Sequence, residues 1–360
     1  MDISDEPPER MRADSDATAG ATTLRRPRTA LAMDPSHVES VFPPDVRARL
    51  LTTAELLCPG PVTDFSSAAA RSVLAEVDVL VTGWGCPEIG TEALDAAPNL
   101  RAVIHAAGTV KTFLSPEVHS RGIVVSSAAA ANAVPVAEFA FAAIVFGAKR
   151  AFSLAGSFRS RRTHRTPADL AAHPWLGTHR LTVGIIGASY TGRRLLGMLG
   201  MLDATVLLYD PYVSRAEAER EGWTLVDLDI LAATSDVVSI HAPHTPDTHH
   251  LLDRRLLDLM RPGTVVVNTA RGALVDTDAL TEQLVAGRLD AVLDVTSPEP
   301  LPPDHPLWTL PNVFLTPHLA GALGNEVGRL GALAVDELAR YARGEPFLYP
   351  VRHEDLARRA

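Results

Sequence analysis

Short apolar runs alternate with amphipathic stretches along most of this chain. Residues 29–33 (TALAM), 77–82 (VDVLVT), 101–105 (RAVIH) and 123–126 (IVVS) are short and bounded by polar or turn residues, which predicts strands. Residues 44–55 and 66–76, between them, have helical spacing. Strands alternating with helices predict a parallel sheet covered on both faces. Residues 133–149 (AVPVAEFAFAAIVFGAK) are apolar on nearly every side and predict a buried helix. The segment 158–165 (FRSRRTHR) reads as a basic loop. A second series of strands follows at 182–186, 205–209, 237–240, 264–268, 291–293 and 313–315, enough for a complete doubly wound sheet. The Ala/Leu-rich helical pattern at 325–342 has no sheet of its own and is expected to pack back onto the first unit. The fold class is therefore α/β, with two doubly wound parallel-sheet domains.

Composition narrows the function classes. A chain of 360 residues suits two cores. A formal charge of −10 and a pI of about 5.7 provide no general attraction to phosphate backbones or anionic lipid, so no nucleic-acid partner is expected. Cys58 and Cys86 form no CxxC or metal-ligand spacing, so neither a disulfide framework nor a metal site is expected, and a cytoplasmic location is. No apolar run approaches ~18 uninterrupted residues, so no membrane span is expected. Residues 1–28 are polar and lack the apolar core of a secretory signal; they read as a disordered tail.

Candidate chemistry begins at LTVGIIGASYTG, where an apolar strand runs into 187–192 and a helical pattern follows. This is GxGxxG with Ser189 at the middle glycine. Gly187 supplies the tight turn that aims a helix N-terminus at a pyrophosphate, with Ser189, Tyr190 and Thr191 along the loop, and Gly192 allows close helix–strand packing. Ser189 crowds the backbone approach, although its hydroxyl can bond a phosphate oxygen. The motif by itself also fits an ordinary strand–turn–helix. Asp210, ending the next strand in TVLLYDP, has the spacing expected of a ribose-binding carboxylate and would repel a 2′-phosphate, which favours NAD over NADP.

Three further segments each follow a predicted strand, on the side where open α/β sheets bind ligands. They are VVVNTARGALVD with Arg271, LDAVLDVTSPEPLP with Asp294 and Glu299, and VFLTPHLAG with His318. Singly, these are ordinary surface or loop residues. Together they suit hydride transfer to a 2-oxo acid. Arginine grips a carboxylate with two prongs, histidine gives and takes a proton near neutral pH, and a neighbouring carboxylate favours the imidazolium.

Taken in order, VGIIGASYTGR, YDP, SDVVSIHAPHTPDT, MRPGTVVVNTARGALVD, DVTSPEPLP and LTPHLAG resemble the D-isomer-specific 2-hydroxyacid dehydrogenases. The resemblance covers roughly residues 75–325. It implies that Arg271 binds substrate, His318 is the acid/base and Glu299 is its partner. It also places His241, Ala242, Pro243, Thr248, Thr269 and Ala270 along the cofactor, with Asp294 holding the nicotinamide amide. It implies a flavodoxin-like substrate domain over 29–131, completed by 322–360, a Rossmann-type NAD-binding domain over 132–321, and a homodimer.

The chain departs from the family pattern in the substrate loop, His105-Ala-Ala-Gly-Thr-Val-Lys111. Ala107 and Gly108 keep backbone donors for a carboxylate, Thr109 replaces a glycine and Lys111 replaces the usual aspartate. If Lys111 or the cluster Arg159, Arg161, Arg162, His164 and Arg165 reaches the cleft, the substrate carries a second anion, such as a phosphate, phosphonate or carboxylate. The plainer reading is that both are solvated. Thr296 stands where relatives often carry an aromatic. Glu299 argues against formate oxidation, where glutamine is typical, and Gly108 against phosphite oxidation, where lysine is. A corepressor-like NAD(H)-binding protein without turnover is the competing class.

Overall fold

The computed structural model describes residues 26–171 and 176–357, so the tail expected over 1–28 lies almost wholly outside the described residues. Arg28 is already part of the fold as the first residue of a strand.

The first sheet contains β1 (Arg28–Ala32), β2 (Glu55–Leu56), β3 (Val79–Thr82), β4 (Ala102–His105) and β5 (Val124–Ser127), all parallel, in the order β2-β1-β3-β4-β5. This is the flavodoxin-like order. The second sheet contains β6 (Leu181–Ile186), β7 (Ala204–Tyr209), β8 (Thr224–Leu225), β9 (Val237–Ile240), β10 (Val265–Asn268), β11 (Asp290–Leu293) and β12 (Val313–Leu315). Its order, β12-β11-β10-β9-β6-β7-β8, is the Rossmann order with a seventh strand. The switch point, where strand order reverses, falls between β6 and β9.

Every residue of β3, β4, β9 and β10 is buried, because helices cover both faces. Thr82, His105 and Asn268 are polar and end their strands, so the apolar runs turn polar at the carboxyl edge. His105 Nδ1 lies 2.9 Å from Thr82 Oγ1, and burial pushes its imidazole down to about 3, keeping it neutral. The edge strands β2 and β8 were not expected, because two residues are too few for a periodic signal. Glu55, read as the end of a helix, pairs in β2 instead, and that helix is Pro44–Thr53.

The apolar helix is Ala129–Ala148. With a mean hydropathy of 1.7 it is long and apolar enough to cross a membrane by length and composition, although Asn132 and Glu138 interrupt its apolar run. Its Ala137, Ala140, Ala143 and Ile144 instead share a core with Val183, Ile185, Val237 and Val267 of the second sheet. The C-terminal helix Val327–Ala342 packs on the first sheet, as expected. Val335 and Leu338 join Leu31, Val79 and Ile104, and a Cβ on Gly331 would lie 1.8 Å from the Val41 carbonyl oxygen.

The basic segment 158–165 is only partly a loop. Residues 158–161 end the helix Ala151–Arg161, since arginine and alanine favour helix as strongly as charge favours exposure. Arg159, Arg161, Arg162, His164 and Arg165 are exposed, and Arg161 pairs with Asp169 at 2.9 Å.

Candidate active site

The loops that leave β10, β11 and β12 carry the three residues singled out from sequence. His318 Nδ1 lies 2.7 Å from Glu299 Oε1, and both side chains are open to the cleft. With Nδ1 committed to the carboxylate, Nε2 is the nitrogen available to a ligand. His318 has φ +53, a left-handed conformation that costs about 1–3 kcal/mol away from glycine. Asp294 holds the loop in that shape. It is buried, and its Oδ1 accepts from Thr316 Oγ1 at 2.6 Å and Leu319 N at 2.8 Å. Its Oδ2 accepts from Ala320 N at 2.9 Å, and its carbonyl accepts from His318 N at 2.9 Å. Asp294 is thus the frame of the His318 loop, a use that its expected contact with a nicotinamide amide did not anticipate.

Arg271 is half-buried beside the Glu299 carboxylate. Burial pushes its guanidinium down from the usual arginine range and the Glu299 charge opposes that. Its loop is tied by Asn268, whose Nδ2 donates to Arg271 O at 2.9 Å and whose Oδ1 accepts from Ala270 N at 3.0 Å. Gly272 then permits docking on the next loop: a Cβ there would lie 2.0 Å from the Thr296 carbonyl. A side chain at 272 would therefore clash with the Thr296–Ser297 backbone. Thr296 turns its hydroxyl to Pro298 O at 2.8 Å.

The loop at Ala107–Lys111 follows β4 of the first sheet. Ala107 is nearly inaccessible, and Gly108 and Thr109 are half-buried. Lys111 remains exposed overall, yet partial desolvation and then the Arg271 charge push its ammonium down. The two positive charges are close enough to interact. Nothing comparable ties the 159–165 cluster to the cleft.

At the switch point, Gly187 has φ +98, and a Cβ there would lie 2.6 Å from Ala242 N. A Cβ on Gly192 would lie 2.0 Å from Gly187 O. Both glycines are dictated by close approach. Ser189 caps the helix Tyr190–Leu199 by accepting from Gly192 N at 3.3 Å, so its oxygen serves the protein and its proton stays available. Asp210 accepts from Ala188 N at 2.7 Å and from Tyr212 N at 2.8 Å, which locks the glycine loop to the end of β7.

Across the crevice, His241 is buried with Nε2 2.8 Å from Ser239 Oγ, and burial pushes it down to about 3. Ala242 is buried beside it, and Thr248 ties the following loop by donating to Pro243 O at 2.6 Å. His241 Nδ1 and Thr269 Oγ1 are buried with no partner in the protein. Two orphaned polar atoms at the ends of β9 and β10, across from the glycine loop that follows β6, fit a dinucleotide. Among the described residues no group of three His, Cys, Asp or Glu could hold a metal.

Residues 142–320 match the family described as D-isomer specific 2-hydroxyacid dehydrogenase, NAD binding domain. Glyoxylate/hydroxypyruvate reductase B of Pectobacterium carotovorum is 33% identical over 308 residues, covering 84% of this chain and 92% of that protein. The chain belongs to this dehydrogenase family. Its cofactor is NAD. D-3-phosphoglycerate dehydrogenase of Archaeoglobus fulgidus is 34% identical over 260 residues, covering 72% of this chain and 48% of that protein. The chain thus spans about half the length of the phosphoglycerate dehydrogenases it matches. Among solved structures, a phosphoglycerate oxidoreductase from Rhizobium etli superposes with a TM-score of 0.76 at 23% identity over 91% of this chain and 98% of that one. D-mandelate dehydrogenase of Rhodotorula graminis superposes with a TM-score of 0.73 at 24% identity over 91% of this chain and 97% of that one. Both show the shared fold.

Two polar residues of this dehydrogenase site were not singled out from sequence. One is Asn268. The other is Asn132, in the first turn of the helix Ala129–Ala148. Its Oδ1 accepts from Ala322 N at 2.9 Å, and Gly108 and Gly321 both abut it. It links the substrate loop to the segment after His318. A lone amide in a helix whose one charged residue is Glu138 was the available signal.

Proposed function

We propose that this dehydrogenase interconverts a D-2-hydroxy acid and its 2-oxo acid with NAD(H), and that the substrate carries a second anionic group. The paired His318 and Glu299, facing Arg271 from successive strand ends, carry this reading. Arg271 grips the substrate carboxylate and carbonyl oxygen, helped by backbone N–H groups of the loop at Ala107, Gly108 and Thr109. In the reductive direction His318 Nε2 gives its proton to the carbonyl oxygen, and Glu299 holds the ring in place through Nδ1. NAD(H), when bound, supplies or accepts the hydride. Buried, neutral His241 and Thr269 line its place without adding charge, while Gly187, Ser189, Tyr190, Thr191 and Gly192 receive the pyrophosphate and Asp210 the ribose. Ala242, Pro243, Thr248 and Ala270 complete the walls. The division of labour proposed is a substrate domain over 29–131, to which 322–360 returns, and an NAD-binding domain over 132–321.

Lys111 supports the second anion, because two cations that repel one another are relieved by a dianion. The phosphoglycerate dehydrogenase relatives act on such a substrate by name. A panel of phosphorylated, phosphonate, dicarboxylate and simple 2-oxo acids, followed by NADH absorbance, tests this. Dianionic members should give the higher kcat/KM, and Lys111→Ala should lower it about tenfold for them alone. Because the Lys111 ammonium is pushed down, this preference should fade with rising pH sooner than an ordinary lysine would allow. Better turnover of monoanionic acids would remove the second anion from the account.

Two other residues give separable outcomes. Glu299→Gln should lower kcat for reduction about tenfold or more, since the acceptor 2.7 Å from His318 Nδ1 loses its charge and the ring its firm orientation; an unchanged kcat would break the pairing. Asp210→Ala should raise the NADP/NAD ratio of kcat/KM about tenfold or more, and an unchanged ratio would refute the ribose role.

A homodimer is the proposed assembly. Phe146 and Phe158 are exposed, and no residue of Ala151–Arg161 is buried within one chain. Sedimentation at micromolar concentration should report twice the chain mass. The free thiols of Cys58 and Cys86 fit the cytoplasm.

A further inference from the structure

The C-terminal segment after the helix Val327–Ala342 does more than close the first sheet. Glu337, 1% exposed, points its carboxylate at this segment. Its Oε1 accepts from Tyr349 N at 2.9 Å and from Leu348 N at 3.1 Å. Burial pushes this carboxyl up, and the backbone hydrogen bonds oppose that. Pro350 bridges antiparallel to Ser126, Val351 N donates to Val125 O at 2.8 Å, and His119 Nε2 donates to Val351 O at 2.9 Å. Residues 348–351 are therefore fastened to the edge strand β5 on one side and to a buried carboxylate on the other.

That fastening fixes where Tyr349 reaches. Its ring meets Tyr190 edge-on, with centroids 6.0 Å apart and planes at 77°. Tyr190 is the first residue of the helix Tyr190–Leu199, directly after the capping Ser189 of the glycine loop. One tyrosine belongs to the tail of the substrate domain and the other to the turn that faces the pyrophosphate. The geometry is that of a favourable aromatic pair.

We propose that Tyr349 is a positioning residue of the dinucleotide site, supplied by the substrate domain. The ring pair ties the first turn of the glycine-loop helix to the strap at 348–351. Cofactor affinity then depends on a residue 159 positions away from Tyr190 in sequence, and opening of the cleft must separate the two rings. The inference rests on the reading of 187–192 as the pyrophosphate loop. Nothing in it requires Tyr349 to touch the cofactor.

The test is NADH binding, measured by fluorescence titration of the full chain. Tyr349→Ala should weaken NADH about three- to tenfold, the scale of one aromatic pair, and Tyr349→Phe should restore it. Tyr190→Ala combined with Tyr349→Ala should be no weaker than the worse single variant, because either change already breaks the pair. If Tyr349→Ala fails to fold, Tyr349→Leu fills the space without a π face and should show the same weakening. Unchanged affinity in Tyr349→Ala or Tyr349→Leu, or strictly additive losses in the double variant, would overturn the coupling while leaving the NAD site intact. Failure of the unaltered protein to bind NADH would overturn both the coupling and the site on which it rests.

Discussion

Replacing His318 with alanine lowers turnover by about two to four orders of magnitude, the usual contribution of a positioned general acid. The reason is geometric as well as chemical. Its Nδ1 is held 2.7 Å from Glu299, its backbone is held at φ +53, and Asp294 secures the residues on either side through Thr316, Leu319 and Ala320. The ring is therefore held through Nδ1, which leaves Nε2 free for a ligand. Alanine keeps the loop, since the hydrogen bonds that Asp294 accepts come from other residues or from backbone N–H groups, so NADH affinity should stay within about twofold. Steady-state turnover and NADH titration of the same preparation check both parts. Turnover within tenfold of the parent would remove His318 from proton transfer.

Replacing Arg271 with alanine has the second large effect. A half-buried guanidinium that forms charge-assisted bonds to a substrate carboxylate contributes about 3–4 kcal/mol, or roughly two to three orders of magnitude in kcat/KM. Arg271→Lys should recover little of this, because a point charge cannot replace the planar fork. Most of the loss should fall on kcat/KM rather than on NADH binding. The lysine variant separates charge from shape: recovery above half of the parental kcat/KM would show that Arg271 supplies only a positive field.

Much of this site was legible in the sequence because its parts lie at strand ends. Apolar runs such as VVVN and AVL mark buried parallel strands, and the first polar residues beyond them mark the crevice. Arg271, Glu299 and His318 were found that way, and the fold places them on successive loops as expected. The remainder depended on pairings that no local pattern encodes. Asp294 was expected to hold a nicotinamide amide, but three donors from the loop after β12 claim its oxygens. Asn132 lies 190 positions from the amide it accepts from. The contact of Tyr349 with Tyr190 is likewise a product of how the C-terminal helix returns. Two-residue edge strands such as Glu55–Leu56 escape any periodic test, and 158–161 was misread because charge signals exposure without distinguishing helix from loop.

The central claim is that this chain moves a hydride between a nicotinamide and the C2 carbon of a 2-oxo acid, with His318 as proton donor. Reduction of a 2-oxo acid panel with NADH deuterated at the transferable position, followed by mass analysis of the product, tests it most directly. The account predicts a D-2-hydroxy acid with one deuterium at C2, formed at least a hundredfold more slowly by His318→Ala. NADH that binds but is not consumed with any member of the panel would contradict it, and would favour a sensing role instead.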